Sequence, residues 1–350
     1  MFWIRADGNA KIGAGHMMRC LTIAEELAGL RRRQDICFVC AEDASANLAA
    51  EHGFQTYVLQ TDYRKMETEL QIWDRLLADS SLGKPEEKQT ILVDSYYVTD
   101  RYLVALQKRA YVILMDDMGE RCYPADCVVN YNAPARLQQY LHLYQEQNVR
   151  LLIGSSYTPI RRQFWNRRYQ VKEEVRVVLI TTGGGDSENI AGKILRRLYN
   201  EKMIFYVVTG RFNPNLQKLQ ELERRCGNVH ICHDVKDMAG LMVNCDVAVT
   251  AGGSTVYELA AVGVPFVCFS FAENQEALTK YIGEEGIAED AGAWHRNPEE
   301  TLDYIEKLFK TLVKDSKKRE AASLRETEMI DCGGAVRLAE ELNECNKDKQ

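Results

Sequence analysis

The run Arg5-Ala6-Asp7-Gly8-Asn9-Ala10-Lys11-Ile12-Gly13-Ala14-Gly15-His16 carries the densest chemistry in the chain. It joins a short apolar stretch, Phe2 to Ile4, to an amphipathic run from Met17 to Leu30. A strand-to-helix turn relieved by Gly13 and Gly15 lets a ligand approach the backbone. The helix that follows offers N–H groups without helical partners and a partial positive charge. A histidine on the first turn of that helix adds a titratable group to a ligand crevice. The combination predicts chemistry on an anionic ligand.

Two more glycine-rich turns stand in the second half. One is Thr181-Thr182-Gly183-Gly184-Gly185-Asp186; the other is Thr250-Ala251-Gly252-Gly253-Ser254-Thr255-Val256-Tyr257-Glu258. Gly252 and Gly253 permit close backbone approach, and Ser254 and Thr255 add hydroxyl donors at a helix N-terminus, which suits a diphosphate. Glu258 lies one helical turn on, where a carboxylate can bind the paired hydroxyls of a ribose. The same residues also satisfy a plainer reading, a tight turn and N-cap with an acidic group favoured by the helix dipole. Neither loop is a Walker sequence or has the Gly-x-Gly-x-x-Gly spacing of a dinucleotide fold. In Phe271-Ala272-Glu273-Asn274-Gln275, Asn274 and Gln275 can bond a sugar or a phosphate, or Asn274 can cap a helix. In Leu92-Val93-Asp94-Ser95-Tyr96-Tyr97, Asp94 and Tyr96 are candidates for the crevice of His16, or for capping the helix that begins near Thr99. Asp116-Asp117 ends the next strand in the same way, and there a structural role is the stronger expectation.

These residues need a parallel α/β frame. Strand-like and helix-length segments alternate throughout. The expected strands are Phe2–Ile4, Ile36–Cys40, Gln55–Val58, Thr90–Asp94, Tyr111–Met115 and Cys127–Asn130, then Val175–Thr181, Ile204–Val208, Val229–Cys232, Val247–Thr250 and Pro265–Phe269. Helical periodicity marks Met17–Leu30, Met66–Leu77, Asp100–Arg109, Asn189–Tyr199, Asn215–Arg225, Thr255–Val262, Gln275–Ile282, Glu299–Leu312 and Ala335–Glu344. Pro159 and the basic, aromatic stretch Arg161 to Arg168 interrupt the alternation. The expected organisation is therefore two Rossmann-like domains, residues 1–158 and 159–350, with the last helix crossing back to the first. Ligands of such folds sit at the carboxyl ends of the strands, so an interdomain cleft is expected, as in the type-B glycosyltransferase fold.

At 350 residues the chain is comfortable for two such domains. Its 46% apolar and 27% charged residues are ordinary for globular protein. The net charge of −7 argues against a general nucleic-acid binder and gives no reason to expect an anionic membrane partner. No run approaches a membrane span, and the N-terminus lacks a charged region followed by an apolar one, so a cytoplasmic protein is expected. Of the eleven cysteines, Cys37 and Cys40 form a C-x-x-C within an apparent strand. Alternation would point them to opposite faces, so no metal site is expected.

Taken together, the motifs resemble a known family. They are Arg5-x-Asp7, Ile12-Gly13-x-Gly15-His16-x-x-Arg19-Cys20-Leu21, Val93-Asp94-Ser95-Tyr96, Asp116-Asp117, Gly154-x-x-Tyr157-x-x-x-Arg161-x-x-Phe164, Gly183-Gly184-x-Asp186, Gly252-Gly253-Ser254-Thr255-x-x-Glu258 and Glu273-Asn274-Gln275. Over residues 2–290 the chain is similar to the UDP-2,4-diacetamido-2,4,6-trideoxy-β-L-altropyranose hydrolases of pseudaminic acid biosynthesis. These are relatives of the lipid-II-forming N-acetylglucosaminyltransferase and share its two-domain fold. Ser95 stands where the family carries histidine, and residues 62–89 and those after about 295 are longer than the pattern.

The resemblance implies a UDP-sugar hydrolase that releases UDP by cleavage between the anomeric carbon and the phosphate oxygen, with inversion, no metal and no cofactor. The residues fit that chemistry. A neutral imidazole accepts a proton from attacking water, which makes His16 the expected base. Asp7, Tyr96 and Asn274 would orient sugar or water. Gly13, Gly15, Arg19 and Asp94 would bind substrate on the sugar side. Gly183, Gly184, Gly252, Gly253, Ser254, Thr255, Glu258 and Gln275 would hold UDP, with helix N-termini stabilising the leaving diphosphate. The expected partner is this small-molecule substrate, met by a monomer. Two other readings stand beside it: a nucleotide-sugar glycosyltransferase of surface or spore-coat polysaccharide, and a UDP-sugar-binding protein without catalysis.

Overall fold

The computed structural model describes residues 1–9, 11–78, 89–211 and 213–345. Ala10 of the first turn and residues 79–88 of the long segment 62–89 lie outside the described residues. The chain forms two compact units. Of the described residues, Met1–Asn9, Ala14–Pro159 and those from Gly333 to Cys345 build the first, and Ile160–Cys332 with the short segment 11–13 build the second.

The first unit is built on a seven-stranded parallel sheet. Its strands are β1 (Phe2–Ala6), β2 (Ile36–Cys40), β3 (Gln55–Val58), β4 (Gln89–Asp94), β5 (Ala110–Met115), β6 (Cys127–Asn130) and β7 (Arg150–Ile153). They lie in the order β3-β2-β1-β4-β5-β6-β7. The connections carry α1 (Gly15–Leu30), α2 (Asp43–Glu51), α3 (Leu70–Ala78), α4 (Asp100–Gln107) and α5 (Leu137–Leu143). Every residue of β1, β2, β4, β5 and β6 is buried. Helices on both faces leave no solvated side, which is why these segments read as unbroken apolar runs and not as alternation. Charged groups sit inside this core, paired with one another. Arg5 is fully buried, donates to both oxygens of Glu69 at 2.8 and 2.6 Å, and also pairs with Asp7. Tyr102 adds a third bond to Glu69 at 3.0 Å.

The second unit repeats the plan with six parallel strands. They are β8 (Val177–Thr181), β9 (Ile204–Thr209), β10 (Val229–His233), β11 (Val247–Ala251), β12 (Phe266–Ser270) and β13 (Glu289–Ala293), in the order β10-β9-β8-β11-β12-β13. Its helices are α6 (Ile190–Leu198), α7 (Leu216–Arg225), α8 (Met238–Val243), α9 (Ser254–Val262), α10 (Glu276–Glu284), α11 (Pro298–Lys314) and α12 (Ser316–Met329). The last helix, α13 (Gly334–Glu344), belongs to the first unit. There Asn343 accepts from Arg31, the C-cap of α1, at 2.7 Å, and Glu341 pairs with Arg150 of β7.

Both sheets are doubly wound, so the α/β class and the two Rossmann-like domains expected from the alternation are present. Winding reverses between β1 and β4 in the first sheet and between β8 and β11 in the second. At such a switch point the connections on the two sides diverge to opposite faces and leave a crevice beyond the strand ends. The start of α1 and the Asp94–Tyr96 segment flank the first switch point. The two glycine turns flank the second.

Strands β2, β3 and β6 fall where the sequence places them. The expected helix Met66–Leu77 instead begins as a 3-10 turn, Met66–Glu69, and continues as α3. Strands β7 and β13 and helices α2, α5, α8 and α12 were not expected. All eleven cysteines are free thiols. Among the described residues no three His, Cys, Asp or Glu side chains gather as metal ligands, and no helix is long and apolar enough to cross a membrane.

Candidate active site

In the first unit, four adjacent strands deliver polar side chains to one place. Gly13 takes a left-handed φ of +74°, which suits its lack of a side chain, and α1 then starts at Gly15 with no side-chain cap. His16 is therefore on the first turn of α1, mostly buried, with 14% of its side chain exposed. Its Nδ1 stands 3.7 Å from Asp94 Oδ1, at the end of β4. Ala6 and Asp94 are register partners across the switch point, so the two chain ends emerge side by side. The Tyr96 ring meets the imidazole edge-on, with centroids 4.7 Å apart. Its hydroxyl donates to Asp117 Oδ2 at 2.7 Å, just beyond β5.

Arg19 ties the carboxylates together. Its Nε and Nη2 donate to Asp94 at 2.7 and 2.5 Å, and its Nη1 donates to Asp117 at 2.8 Å and to the Tyr131 hydroxyl at 3.0 Å, beyond β6. Asn132 adds a bond to Asp117 at 3.2 Å. Burial pushes the Asp94 carboxyl up, but Arg19 and then His16 outweigh it and hold it below the usual carboxylate range. Asp117 follows the same balance, with burial opposed by the charge and hydrogen bonds of Arg19, and falls to about 2. Burial raises Tyr131 to about 12 against the pull of Arg19. Both aspartates are thus carboxylates at neutral pH, and Tyr131 is a neutral donor and acceptor.

Two of the expected site residues already have protein partners here. Arg19, expected to bind substrate, is buried and spends all three guanidinium nitrogens on Asp94, Asp117 and Tyr131. Asp7 is also buried; it pairs with Arg5 and accepts from the Ala41 N–H at 2.8 Å, so it braces the ends of β1 and β2. Neither Asp94 nor Tyr96 caps α4, because Thr99 does so by accepting from the Tyr102 N–H. The pair Asp116-Asp117 splits, as neighbours at a strand end must. Asp116 accepts from the Met118 and Gly119 N–H groups and from Tyr140, while Asp117 turns to the His16 cluster. Asp117, Tyr131 and Asn132 are the members that sequence reasoning missed or set aside. Their position directly after two consecutive apolar strands was the available signal.

In the second unit, the glycine turns follow β8 and β11, which pair directly through Thr250 and Thr181. Gly183 takes φ +83°. Gly184 packs so tightly against the β9 connection that a Cβ on Gly210 would lie 2.6 Å from its Cα. Asp186 is the N-terminal anchor of α6, accepting from the Ile190 and Ala191 N–H groups at 2.7 and 2.9 Å. Gly252 is walled in: a Cβ there would stand 2.4 Å from Thr279 Cγ2 and 3.3 Å from Gln275 Cβ. Gly253 is the N-cap of α9 and no side chain caps that helix, so the first-turn residues Ser254 and Thr255 present N–H groups and hydroxyls together. Gln275 lies over this turn, its Oε1 accepting from the Phe271 N–H at 3.1 Å. Asn274 is exposed in the 3-10 turn ahead of α10, whose N-cap is Gln275. Glu258, one turn into α9, receives Nε and Nη2 of Arg161 on a single oxygen, Oε1, at 3.0 and 2.6 Å. Arg161 in turn lies over the Phe164 ring, 5.2 Å from its centroid. The arrangement is an uncapped helix N-terminus behind a glycine turn with an oriented carboxylate beside it. It can accept a diphosphate and a diol.

The fold is the two-domain architecture of the type-B glycosyltransferases, with a candidate strand-end site in each unit. Solved structures of the same fold include MurG of Acinetobacter baumannii, with a TM-score of 0.63 at 14% identity over 98% of this chain and 99% of that one. Another is the S. aureus MnaA–UDP co-structure, with a TM-score of 0.63 at 12% identity over 98% and 95%. At closer range the chain is 29% identical over 313 residues to the spore coat polysaccharide biosynthesis protein SpsG of Bacillus subtilis, covering 86% of each chain. It is 25% identical over 284 residues to the UDP-2,4-diacetamido-2,4,6-trideoxy-β-L-altropyranose hydrolase of Campylobacter jejuni, covering 81% of this chain and 96% of the relative. No family model matches the chain.

Proposed function

We propose that this protein hydrolyses a UDP-sugar of the UDP-2,4-diacetamido-2,4,6-trideoxy-β-L-altropyranose class to UDP and the free sugar, with His16 as general base. The observation that carries the reading is the His16–Asp94 arrangement at the switch point of the first sheet, with Nδ1 directed at a carboxylate 3.7 Å away. A carboxylate on Nδ1 favours the tautomer that keeps its proton there and leaves Nε2 as the acceptor. Catalytic contacts of this kind are often long without substrate and tighten when it binds. In this reading Asp94 orients the base, Arg19 fixes Asp94, and Tyr96 walls the imidazole on the side of the sugar.

The second unit takes the nucleotide. The α9 N-terminus and the Gly252-Gly253 turn receive the diphosphate, and their N–H groups stabilise the charge that builds on departing UDP. Glu258, aimed by Arg161, receives the ribose hydroxyls through Oε2. The relative named as a hydrolase supports this choice of substrate.

Transfer to an acceptor hydroxyl would use the same base, and the likeness to a spore coat polysaccharide biosynthesis protein favours keeping that reading in the test. The purified chain is incubated with the diacetamido UDP-sugar and no acceptor. Hydrolysis predicts repeated turnover to stoichiometric UDP and reducing sugar. Turnover only after a carbohydrate acceptor is added would replace hydrolysis by transfer. UDP protection against unfolding without turnover under either condition would leave a binding protein.

A further inference from the structure

The cluster around His16 is electrically unfinished. Asp94 and Asp117 carry two negative charges, and Arg19 supplies one positive charge to both. Among the described residues, His16 is the other ionisable base paired with one of these carboxylates, Asp94. The groups around His16 and its charged partners come from every neighbouring element. Arg19 and the partial positive charge of the helix start come from α1, and Asp94 comes from β4. The Tyr96 ring comes from the turn after β4, Asp117 from the turn after β5, and Tyr131 from beyond β6. Cys20 donates to Asp94 at 3.3 Å, and burial keeps its thiol protonated.

We propose that Asp117 is a positioning residue for His16: it supplies the negative charge that Arg19 cannot neutralise alone, and it anchors the tyrosine ring that packs on the imidazole. The inference rests on the hydrolase reading for its chemical consequence. In the step concerned, a water O–H bond breaks and its proton passes to Nε2. The oxygen's electron pair forms the bond to the anomeric carbon, and the bond from that carbon to the phosphate oxygen breaks with its electrons leaving on UDP. With His16 protonated, Asp94, Asp117, Arg19 and His16 sum to zero charge. Asp117 therefore stabilises the cluster in the form that appears as the reaction proceeds, without touching the substrate. The link is independent of substrate, because Asp117 holds Tyr96 and Arg19 in the free protein.

The test uses the full ligand-free chain and follows the His16 imidazole by NMR across pH, its signal assigned with His16→Gln. Asp117→Asn retains an acceptor for Arg19 and Tyr96 while removing the charge. It should weaken proton binding at His16 roughly tenfold, the scale of one charge removed in a partly screened site. It should also lower kcat with little change in KM. Asp117→Glu should restore the titration, and Tyr96→Phe should leave it within about twofold, since it removes no charge. An unmoved His16 titration in folded Asp117→Asn, or a titration that Asp117→Glu fails to restore, would overturn the proposal. If the unaltered chain releases no UDP, the hydrolase reading fails while the titration still decides the coupling of Asp117 to His16.

Discussion

Replacing Arg19 by methionine should reverse the pH dependence of the first unit's stability. The variant keeps a long apolar stem but leaves Asp94 and Asp117, whose side chains are 1% and 10% exposed, without their shared cation. In the intact protein Asp117 sits at about 2 against an ordinary 3.8. That difference corresponds to about 2 kcal/mol of stability at neutral pH. Removing one partner of a buried pair costs about 3–5 kcal/mol, so a loss of about 4 kcal/mol at pH 7.5 is expected with two carboxylates stranded together. The sign follows from proton uptake. In the intact chain the folded value is depressed, so the contribution of Asp117 is present above about 3.8 and is lost as pH falls toward 2. In Arg19→Met burial outweighs what His16 and the Tyr96 hydroxyl still supply, so the folded variant binds these protons more tightly than the unfolded one and loses stability as pH rises. Urea unfolding at pH 4.5 and 7.5, followed by the fluorescence of Trp3 and Trp73 in the first unit's core, reads the difference. The penalty should be smaller at pH 4.5 by about 1–2 kcal/mol. A penalty below about 1 kcal/mol at pH 7.5, or one independent of pH, would refute the argument.

Three further perturbations separate the parts of the account. His16→Ala should lower turnover by about 10²–10⁴-fold while UDP still protects the chain against unfolding, because the proposed base and the proposed nucleotide loops are on different units; a near-normal rate would remove His16 from the mechanism. Gly252→Ala should weaken UDP binding and cost about 1–3 kcal/mol, since its methyl would stand 2.4 Å from the buried Thr279 side chain; unchanged calorimetric affinity would detach this turn from the nucleotide. Glu326 is fully buried in α12 with neither oxygen hydrogen-bonded, and burial raises its carboxyl well above the ordinary value. Its folded form therefore holds a proton that is lost at a stability cost as pH rises. Glu326→Met should accordingly stabilise the chain, and by more at pH 8 than at pH 5 in denaturant titrations.

The sheet centres were legible because buried parallel strands need unbroken apolar runs, as in Ile36–Cys40 and Cys127–Asn130. The edges were not. Strand β13, Glu-Asp-Ala-Gly-Ala, has no apolar run, and β7 is four residues long. Helix α12 reads as a charged, nearly faceless segment. Its fold depends on Asp315 capping the Lys318 N–H and on buried Arg319 donating to the backbone oxygens of Lys172 and Glu173, contacts that no periodicity reveals. The same division holds at the site. A histidine after a glycine turn can be read from spacing, and so can a carboxylate at a strand end. That Arg19 would turn inward to join Asp94 to Asp117 depends on three strands arriving side by side, and sequence order does not state it. Asp116 and Asp117 look equivalent on paper, and only the direction of the strand end separates a turn-former from a member of the His16 cluster.

The most direct test of the central claim is turnover of the diacetamido UDP-sugar in ¹⁸O-water with no acceptor, read by mass spectrometry of both products. Attack by water at the anomeric carbon predicts one ¹⁸O in the released sugar and none in UDP, with the label entering at the first turnover. Label in the UDP phosphate, or no release of UDP at all, would contradict it.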